Sequence, residues 1–248
     1  MYNIVFSATG RSEKVADAFC SAFDNVEKID LSLAGFSDVV LTAEDFCLVT
    51  APVYGGVIPQ VAADNILKIR ANGAKAVVMA VYGNRAYDDA LAQLKDVCTR
   101  AGFTVCGAVG AVAQHSLLPA VAADRPDEND KKQLVEFAHR VMDKIKQGDM
   151  ADFTVPGKVP SGEAHSLPVH PKATKICVKC GLCAEKWPVA AIPKENPMAT
   201  DKTKCITCMR CVEICPQGAR QLMPAVIKMA NPLMKKVWGT HREIEFYL

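Results

Sequence analysis

Seven of the eleven cysteines lie between Cys177 and Cys215, at spacings that suit metal binding. They form two runs, each of which begins with three cysteines at intervals of three and ends at a proline. The runs are Cys177-x2-Cys180-x2-Cys183-x3-Trp187-Pro188 and Cys205-x2-Cys208-x2-Cys211-x3-Cys215-Pro216. Zinc ribbons pair two C-x-x-C knuckles, whereas triplets of thiolates are typical of iron–sulfur clusters. We therefore expect reduced thiolates on iron here and not a disulfide framework.

The spacing resembles that of bacterial two-cluster ferredoxins, in which the fourth cysteine of each run binds the cluster of the other run. The resemblance implies that one 4Fe-4S cluster is bound by the crossed set Cys177, Cys180, Cys183 and Cys215. The remaining triplet consists of Cys205, Cys208 and Cys211. Its fourth ligand would come from position 187, which is Trp. An indole has an N–H donor and no lone pair for iron, so the ferredoxin pattern breaks at this position.

Three outcomes follow for the site of the second triplet. It holds a 3Fe-4S cluster on three cysteines, or a 4Fe-4S cluster whose fourth iron takes water, a thiol or another side chain, or no cluster. The first two are favoured equally over the third, because three preplaced thiols would otherwise be buried without partners. Asp201 and Glu185 offer oxygen ligands, although solvated charge is the more ordinary role of each.

Three loops rich in glycine carry a second kind of chemistry. They are Ser7-Ala8-Thr9-Gly10-Arg11-Ser12, Pro52-Val53-Tyr54-Gly55-Gly56-Val57-Ile58-Pro59 and Tyr82-Gly83-Asn84-Arg85-Ala86-Tyr87-Asp88-Asp89. The first offers hydroxyls and backbone N–H groups at a helix start, which suits a phosphate, but it lacks the nucleotide and dinucleotide motifs. The other two place tyrosine beside glycine, which suits a flat heteroaromatic ring. Loops that follow parallel strands at the point where strand order reverses form one ligand site.

The first loop resembles the phosphate loop of flavodoxins, [ST]-x-T-G-x-[ST]. The resemblance implies FMN, with its phosphate held by Ser7, Thr9, Gly10, Arg11 and Ser12. It also implies that the ring lies between Tyr54 and either Tyr82 or Tyr87, beside Pro52, Gly55, Gly56, Gly83 and Asn84. Arg11 stands where flavodoxins usually have Asn, so that it either tightens phosphate binding or points to solvent. His115 follows the fifth predicted strand, near the expected flavin edge.

Alternating strands and helices are predicted to position these loops. Apolar runs predict strands over residues 2–6, 26–31, 46–52, 74–81 and 104–112, several of them buried on both faces. Amphipathic patterns predict helices over residues 12–23, 60–71, 88–101 and 127–147. This alternation predicts an α/β fold with a parallel sheet. The flavodoxin resemblance implies a five-stranded sheet of order 2-1-3-4-5, followed by a small α+β domain like that of bacterial ferredoxins.

Composition shifts divide the chain into four parts. Residues 1–147 form the predicted flavodoxin-like FMN-binding domain, and the proline-rich residues 148–174 a linker. Residues 175–221 hold both cysteine runs, as a ferredoxin-like domain. Residues 222–248 are rich in methionine and interrupted by Pro232, and we expect a packing arm there.

Charge and hydropathy narrow the classes of function. No apolar run reaches the roughly 18 residues of a membrane span, and no leader sequence is evident, so the pattern predicts a cytoplasmic protein without a membrane partner. Residues 1–150 hold 15 basic and 19 acidic side chains, a balance of −4, whereas residues 151–248 hold 14 and 8, a balance of +6. The lysines are scattered among cysteines with few aromatic residues, which argues against nucleic acid. Compensation of buried cluster charge accounts for them better.

Nearly the whole chain resembles flavodoxin–ferredoxin fusion proteins, which are often found in anaerobes. The resemblance implies an electron carrier that shuttles electrons between FMN, the iron–sulfur clusters and external redox proteins. The alternatives are a flavin-dependent reductase of a quinone or nitro compound, fed through the clusters, and a scaffold stapled by metal. Because the sequence offers no catalytic acid, base or substrate clamp, the carrier is favoured over the enzyme. The identity of the partner, the direction of electron flow and the oligomeric state stay open.

Overall fold

A six-stranded sheet organises the chain in a computed structural model that describes residues 1–33, 35–148, 152–160 and 169–248. Its parallel strands are β1 (Tyr2–Val5), β2 (Glu27–Asp30), β4 (Phe46–Pro52), β6 (Lys75–Tyr82) and β7 (Thr104–Val112). They lie in the order β2-β1-β4-β6-β7. This is the order 2-1-3-4-5 among the five predicted strands, so the predicted α/β fold with flavodoxin-like strand order is confirmed.

Continuous apolar runs form the central strands because both faces of the sheet are covered. β4 and β6 run side by side in parallel, with Val49 opposite Val78. Alternate residues feed two separate apolar layers: Val49 and Val78 belong to one, and Leu48 and Val77 to the other. The loops that follow these two strands therefore begin at buried strand ends, Pro52 and Tyr82.

Helices cover both faces of the sheet. The four that follow its strands are α1 (Arg11–Cys20), α2 (Gln60–Ile66), α3 (Ala90–Arg100) and α4 (Glu128–Gln147). α4 begins at a capping box, in which the Asp127 side chain accepts from the N–H of Asp130 and the Asp130 side chain accepts from the N–H of Asp127. Two backbone N–H groups that would otherwise lack a partner at the helix start are thereby satisfied, which fixes the start of the helix.

The second helix is shorter than its pattern predicts. Residues 60–71 were expected to be helical, but α2 ends at Ile66 and β5 (Ile69–Arg70) follows it. β5 pairs in parallel with β3 (Val39–Val40), and Ile69 is buried. The hydrogen bonds to β3 and the burial of Ile69 outweigh the local helical periodicity, which is a weak preference.

The cysteine-rich part is built from very short elements. α5 (Leu182–Glu185) and α6 (Arg210–Glu213) each lie within one cysteine run, and β8 (Lys172–Ala173) pairs antiparallel with β9 (Arg220–Gln221). β8 falls inside residues 148–174, which were interpreted as a linker; residues 149–151 and 161–168 of that segment lie outside the described residues.

The C-terminal segment, interpreted from the sequence as a packing arm, adds a strand to the sheet of the first domain. α7 (Pro224–Trp238) leads to β10 (Glu245–Tyr247), which pairs antiparallel with the edge strand β7. Ile244 and Phe246 join one apolar layer and Tyr247 the other, as the two-residue period of a strand requires. The sheet thus has six strands where five were predicted. No helix among the described residues is both long and apolar enough to cross a bilayer.

Candidate cofactor sites

The four cysteines of the crossed set meet at one place, which we call the four-cysteine site (Cys177, Cys180, Cys183 and Cys215). They line a single small cavity of about 20 Å³. Cys180 is exposed at the surface of the protein. Three cysteines of α5's run and one that follows α6 thus converge, although Cys183 and Cys215 are 32 positions apart along the chain. The convergence fits a cluster whose fourth ligand comes from the other run.

Backbone N–H groups prepare Cys215 to ionise. Burial opposes ionisation, but the N–H groups of Ala219, Gln217 and Arg220, together with the Arg220 guanidinium, outweigh it and lower the pKa of the Cys215 thiol. The N–H of Ala219 donates to Sγ at 3.3 Å. A thiolate is the form that binds metal, so this environment favours the ligand state.

The other triplet, Cys205, Cys208 and Cys211, is deeply buried and forms what we call the three-cysteine site. Each of the three is at most 1% exposed. Burial raises the pKa of all three thiols, that of Cys208 to about 11. Trp187 is also 1% exposed and belongs to the same apolar cluster as the triplet.

The two cysteine runs adopt the same backbone geometry. In the first, Lys179 and Gly181 flank the second cysteine with φ of 56° and 80°. In the second, Thr207 and Met209 occupy the matching positions with φ of 54° and 65°. Left-handed non-glycine residues cost energy and persist where the surroundings require them. The matched positions indicate that both loops are shaped for the same task, and alternating backbone of this kind gathers N–H groups around an anion.

No group of three or more His, Cys, Asp or Glu side chains in the described part of the chain is arranged to hold a single metal ion. In a multinuclear cluster each thiolate binds its own iron, so its ligands lie further apart than those of one ion.

A larger cavity of about 310 Å³ opens at the carboxyl ends of β4, β6 and β7. This is the topological switch point at which α/β sheets bind ligands, and the volume lies at the lower end of the range for small-molecule sites. Residues from all three glycine-rich loops line it, namely Arg11, Ser12, Pro52, Tyr54, Gly55, Tyr82 and Gly83. The cavity thus brings together seven of the residues predicted to bind FMN.

The loop predicted to bind the phosphate is held in place by hydrogen bonds to neighbouring residues. Ser7 Oγ accepts from the N–H of Glu13 at 3.2 Å, and Thr9 Oγ1 lies 3.2 Å from Ser116 Oγ. Gly10 has φ of 74° and directly precedes α1. Arg11 lines the cavity, and its buried Nε has no hydrogen-bond partner in the described protein. A buried cationic N–H without a partner fits an anionic ligand group.

Two residues predicted beside the flavin are turned toward the C-terminal segment. The Tyr87 hydroxyl donates to Glu245 Oε2 at 2.6 Å and lies 2.8 Å from the Tyr247 hydroxyl. Asn84 Nδ2 donates to the carbonyls of Thr240, at 2.9 Å, and Trp238. Neither residue lines the cavity, and neither does Gly56, so Tyr82 is the nearer partner of Tyr54 across it.

His115 also lines this cavity and is held in one tautomer. Its Nδ1 accepts from the N–H groups of Leu117, at 3.2 Å, and Leu118, at 3.3 Å. Its ring stacks on Trp238 with centroids 5.9 Å apart. Burial, with a smaller contribution from Arg11, lowers the pKa of His115 to about 4. The ring is therefore neutral at pH 7, with its proton on Nε2.

The cavity has one wall that the sequence did not predict. Cys205, Ile206 and Thr207 from the second cysteine run, and Thr203 just before it, line the cavity together with the flavodoxin-like loops. No local signal in a cysteine run specifies which surface of another domain it will contact. The consequence is that a cysteine of the three-cysteine site, Cys205, borders the predicted flavin site directly.

Arg210 connects the second cysteine run to the first domain by hydrogen bonds. Its buried guanidinium donates to the carbonyls of Ser7 at 2.8 Å and Ala8 at 3.2 Å, and to Ser32 Oγ at 2.5 Å. Nearby, Arg11 pairs with Glu213 at 3.1 Å. Both contacts join α6 to the phosphate loop, so the two sites are positioned against each other.

Comparisons with known proteins match two parts of the chain. Residues 198–221, which contain the second cysteine run, match the family of 4Fe-4S binding domains. No curated protein matches the chain.

Solved structures resemble the first domain. A short-chain flavodoxin associated with a PDU bacterial microcompartment is 19% identical with a TM-score of 0.41, covering 58% of this chain and 96% of its own. The flavodoxin of Streptococcus pneumoniae TIGR4 is 18% identical with a TM-score of 0.40, covering 58% and 98%. The rubredoxin:oxygen oxidoreductase of the anaerobe Desulfovibrio gigas is 15% identical with a TM-score of 0.40, covering 60% and 36%.

The chain therefore combines a flavodoxin-like domain with a 4Fe-4S segment, as predicted. This combination supports a redox role in electron transfer.

Proposed function

We propose that this protein transfers electrons between FMN, bound in the large cavity, and iron–sulfur clusters of its C-terminal part, and exchanges them with external redox proteins. One observation carries the proposal: Cys205, a cysteine of the second run, lines the same cavity as Tyr54 and Tyr82. An electron carrier needs its centres close together, and here the wall of one site is a ligand loop of the other.

The residues of the cavity fit FMN. Arg11 and Ser12 would hold the phosphate at the start of α1, where the helix dipole also favours an anion. Tyr54 and Tyr82 would cover the ring, with Gly55 and Gly83 leaving the backbone open to its edge. FMN accepts one or two electrons, whereas an iron–sulfur cluster carries one.

The residues of the four-cysteine site fit a 4Fe-4S cluster. All four line one cavity, and the environment of Cys215 favours its thiolate. Because Cys180 is exposed, this site is the one that external proteins approach most closely. We infer an order of centres from the surface inward: the four-cysteine site, the three-cysteine site, and the flavin cavity.

A basic and apolar surface surrounds the exposed site. Ile176 is 59% exposed and Val178 64%, and Lys175 and Lys179 are exposed beside them. Electron-transfer encounters use small interfaces with an apolar centre, and charged rims steer them. We propose that the external partner is an acidic redox protein that docks on this surface.

The decisive experiment is an anaerobic preparation with counts of iron, sulfide and flavin, followed by rapid-mixing reduction. We expect one FMN per chain and flavin reduction that follows cluster reduction. Cys180→Ser should slow delivery of electrons to the flavin from a reduced ferredoxin, whereas Cys106→Ser should not, because Cys106 belongs to β7 and only donates to the Ala76 carbonyl.

Two results would contradict the proposal. If the protein binds no flavin after reconstitution with FMN, the proposed flavin centre does not exist. Saturable turnover of one quinone or nitro compound at the flavin, with no exchange with redox proteins, would replace the carrier with a reductase.

A further inference from the structure

Trp187 stands at the position from which a ferredoxin-like run would supply the fourth ligand of the three-cysteine site. Its side chain is 1% exposed and belongs to the apolar cluster that also contains the three cysteines. The Lys186 carbonyl, one residue before Trp187, accepts at 3.1 Å from Arg210, one residue before Cys211. The indole is therefore buried, in a segment that is hydrogen-bonded to the run carrying the triplet.

The indole N–H has no partner. Trp187 Nε1 is buried and makes no hydrogen bond to any described residue. A buried donor left unpaired costs about 1–3 kcal/mol, and tryptophan side chains usually find an acceptor when buried. The alanine and isoleucine side chains of the same cluster offer none. A bound group that carries an acceptor would satisfy the indole N–H.

The three cysteines of the second triplet are buried as deeply as Trp187, each at most 1% exposed. Cysteine binds metal as the thiolate, so an iron–sulfur cluster here would use all three side chains. One bound cluster would therefore occupy the three cysteines and supply the acceptor that Trp187 Nε1 lacks.

The described residues favour three irons over four at this site. A fourth iron needs a ligand with a lone pair, which indole lacks. The acidic candidates are engaged elsewhere: Asp201 Oδ1 accepts from the N–H and hydroxyl of Thr203, at 2.9 and 2.6 Å, and the exposed Glu185 pairs with Lys186 at 3.4 Å. A cluster that lacks the fourth iron exposes sulfides at that corner, and sulfides accept hydrogen bonds.

We propose that Cys205, Cys208 and Cys211 bind a 3Fe-4S cluster and that Trp187 caps its open corner, where Nε1–H donates a hydrogen bond to a cluster sulfide. The inference rests on the proposed electron-transfer function and deepens it. Trp187 is a positioning residue: its ring excludes the fourth iron and its N–H tunes the cluster. Hydrogen bonds to cluster sulfur raise the reduction potential of the cluster. The capped cluster would therefore accept electrons from the cluster of the four-cysteine site.

The test uses the anaerobically purified full chain and EPR spectroscopy. The wild type should contain about seven irons, four at one site and three at the other, and the oxidised protein should give the EPR signal of a three-iron cluster. Trp187→Cys supplies the missing thiolate, so the iron content should rise to about eight and the three-iron signal should disappear. Trp187→Phe keeps the ring and removes the donor, so the three-iron signal should remain with a lower midpoint potential.

Trp238→Phe is the matched control, because Trp238 stacks on His115 outside the cysteine sites; it should leave both the signal and its potential unchanged. A wild-type content of about four irons would overturn the proposal by showing that Trp187 blocks the site, and about eight irons without a three-iron signal would overturn it in favour of an outside ligand. An unchanged midpoint potential in Trp187→Phe would rule out the hydrogen bond between Trp187 and the cluster. These results concern the iron count, the EPR signal and its potential at one site, whereas the proposed function fails if the reconstituted chain binds no FMN or exchanges no electrons with redox proteins, so the two failures are distinguishable.

Discussion

Arg210 Nη2 donates a hydrogen bond to the backbone carbonyl of Ser7 at 2.8 Å and thereby joins the second cysteine run to the predicted phosphate loop. The same guanidinium reaches the Lys186 carbonyl at 3.1 Å, one residue before Trp187. One buried side chain thus contacts the phosphate loop and the segments that carry both cysteine runs.

Replacing this residue should loosen the two domains. Arg210→Ala removes charge-assisted hydrogen bonds and leaves buried carbonyls unpaired, so we expect the free energy of unfolding to fall by about 3 kcal/mol. Anaerobic denaturant titration measures the loss, and transfer from cluster to flavin should slow with it. Arg100→Ala is the control, because Arg100 is exposed and forms only a 3.5 Å ion pair with Asp96. Equal stability of the two variants would contradict the role of Arg210.

His115 should make stability depend on pH below neutrality. Its folded-state pKa of about 4 lies below the ordinary value of 6.5, so the unfolded chain binds the proton more readily. The contribution of neutral His115 to the free energy of unfolding is fully present above pH 6.5. It is lost as the pH falls toward 4, by roughly 3 kcal/mol at most. His115→Asn should flatten this part of the profile, and His139→Asn, at an exposed position of α4, should not. Parallel profiles for wild type and His115→Asn would refute the assignment.

Much of this fold could be predicted because its signals are local. The runs at β4 and β6 are almost continuously apolar, and the amphipathic pattern over residues 127–147 predicted the start of α4 within a residue. The four cysteines that the ferredoxin resemblance groups into the crossed set meet in one cavity, and their binding of a cluster stays a prediction.

The features that escaped prediction depend on distant partners. The alternation from Glu243 to Leu248 suits a strand, but only the free edge of β7 decides that it forms one. Tyr87 belongs to a flavin-like loop by sequence, yet Glu245 and Tyr247 hold its hydroxyl. Nothing near Thr203 indicates that this residue lines a cavity built mainly by another domain.

Arg11 should contribute to FMN affinity through its unpartnered Nε. Arg11→Gln removes the cation beside the phosphate position, so we expect the Kd for FMN to rise about tenfold, equivalent to about 1.4 kcal/mol. Fluorescence titration of the reconstituted protein measures it. Because Arg11 also pairs with Glu213, Glu213→Gln is the informative control: that pair is partly exposed and worth little, so its loss should leave the Kd nearly unchanged. An equal effect of both variants would assign Arg11 to the domain interface instead of the flavin.

The basic surface beside Cys180 should govern exchange with acidic partners. Lys175 and Lys179 form no ion pair with a described residue, so their charge is available to a partner. Reversing both, with Lys175→Glu and Lys179→Glu, should slow electron exchange with an acidic ferredoxin at least tenfold at low salt, because steering acts on the association rate. Rapid mixing measures this rate, and added salt should shrink the difference as the charges become screened.

The matched control for that surface is Lys132→Glu with Lys146→Glu, which makes the same change in net charge on the exposed face of α4. If steering depends on the local surface and not on net charge, this control should exchange electrons nearly as fast as the wild type. A basic cytochrome c should respond in the opposite sense, and faster exchange is expected with the Lys175 and Lys179 variant. Equal slowing by both double variants would mean that net charge, rather than a docking surface beside the four-cysteine site, sets the rate.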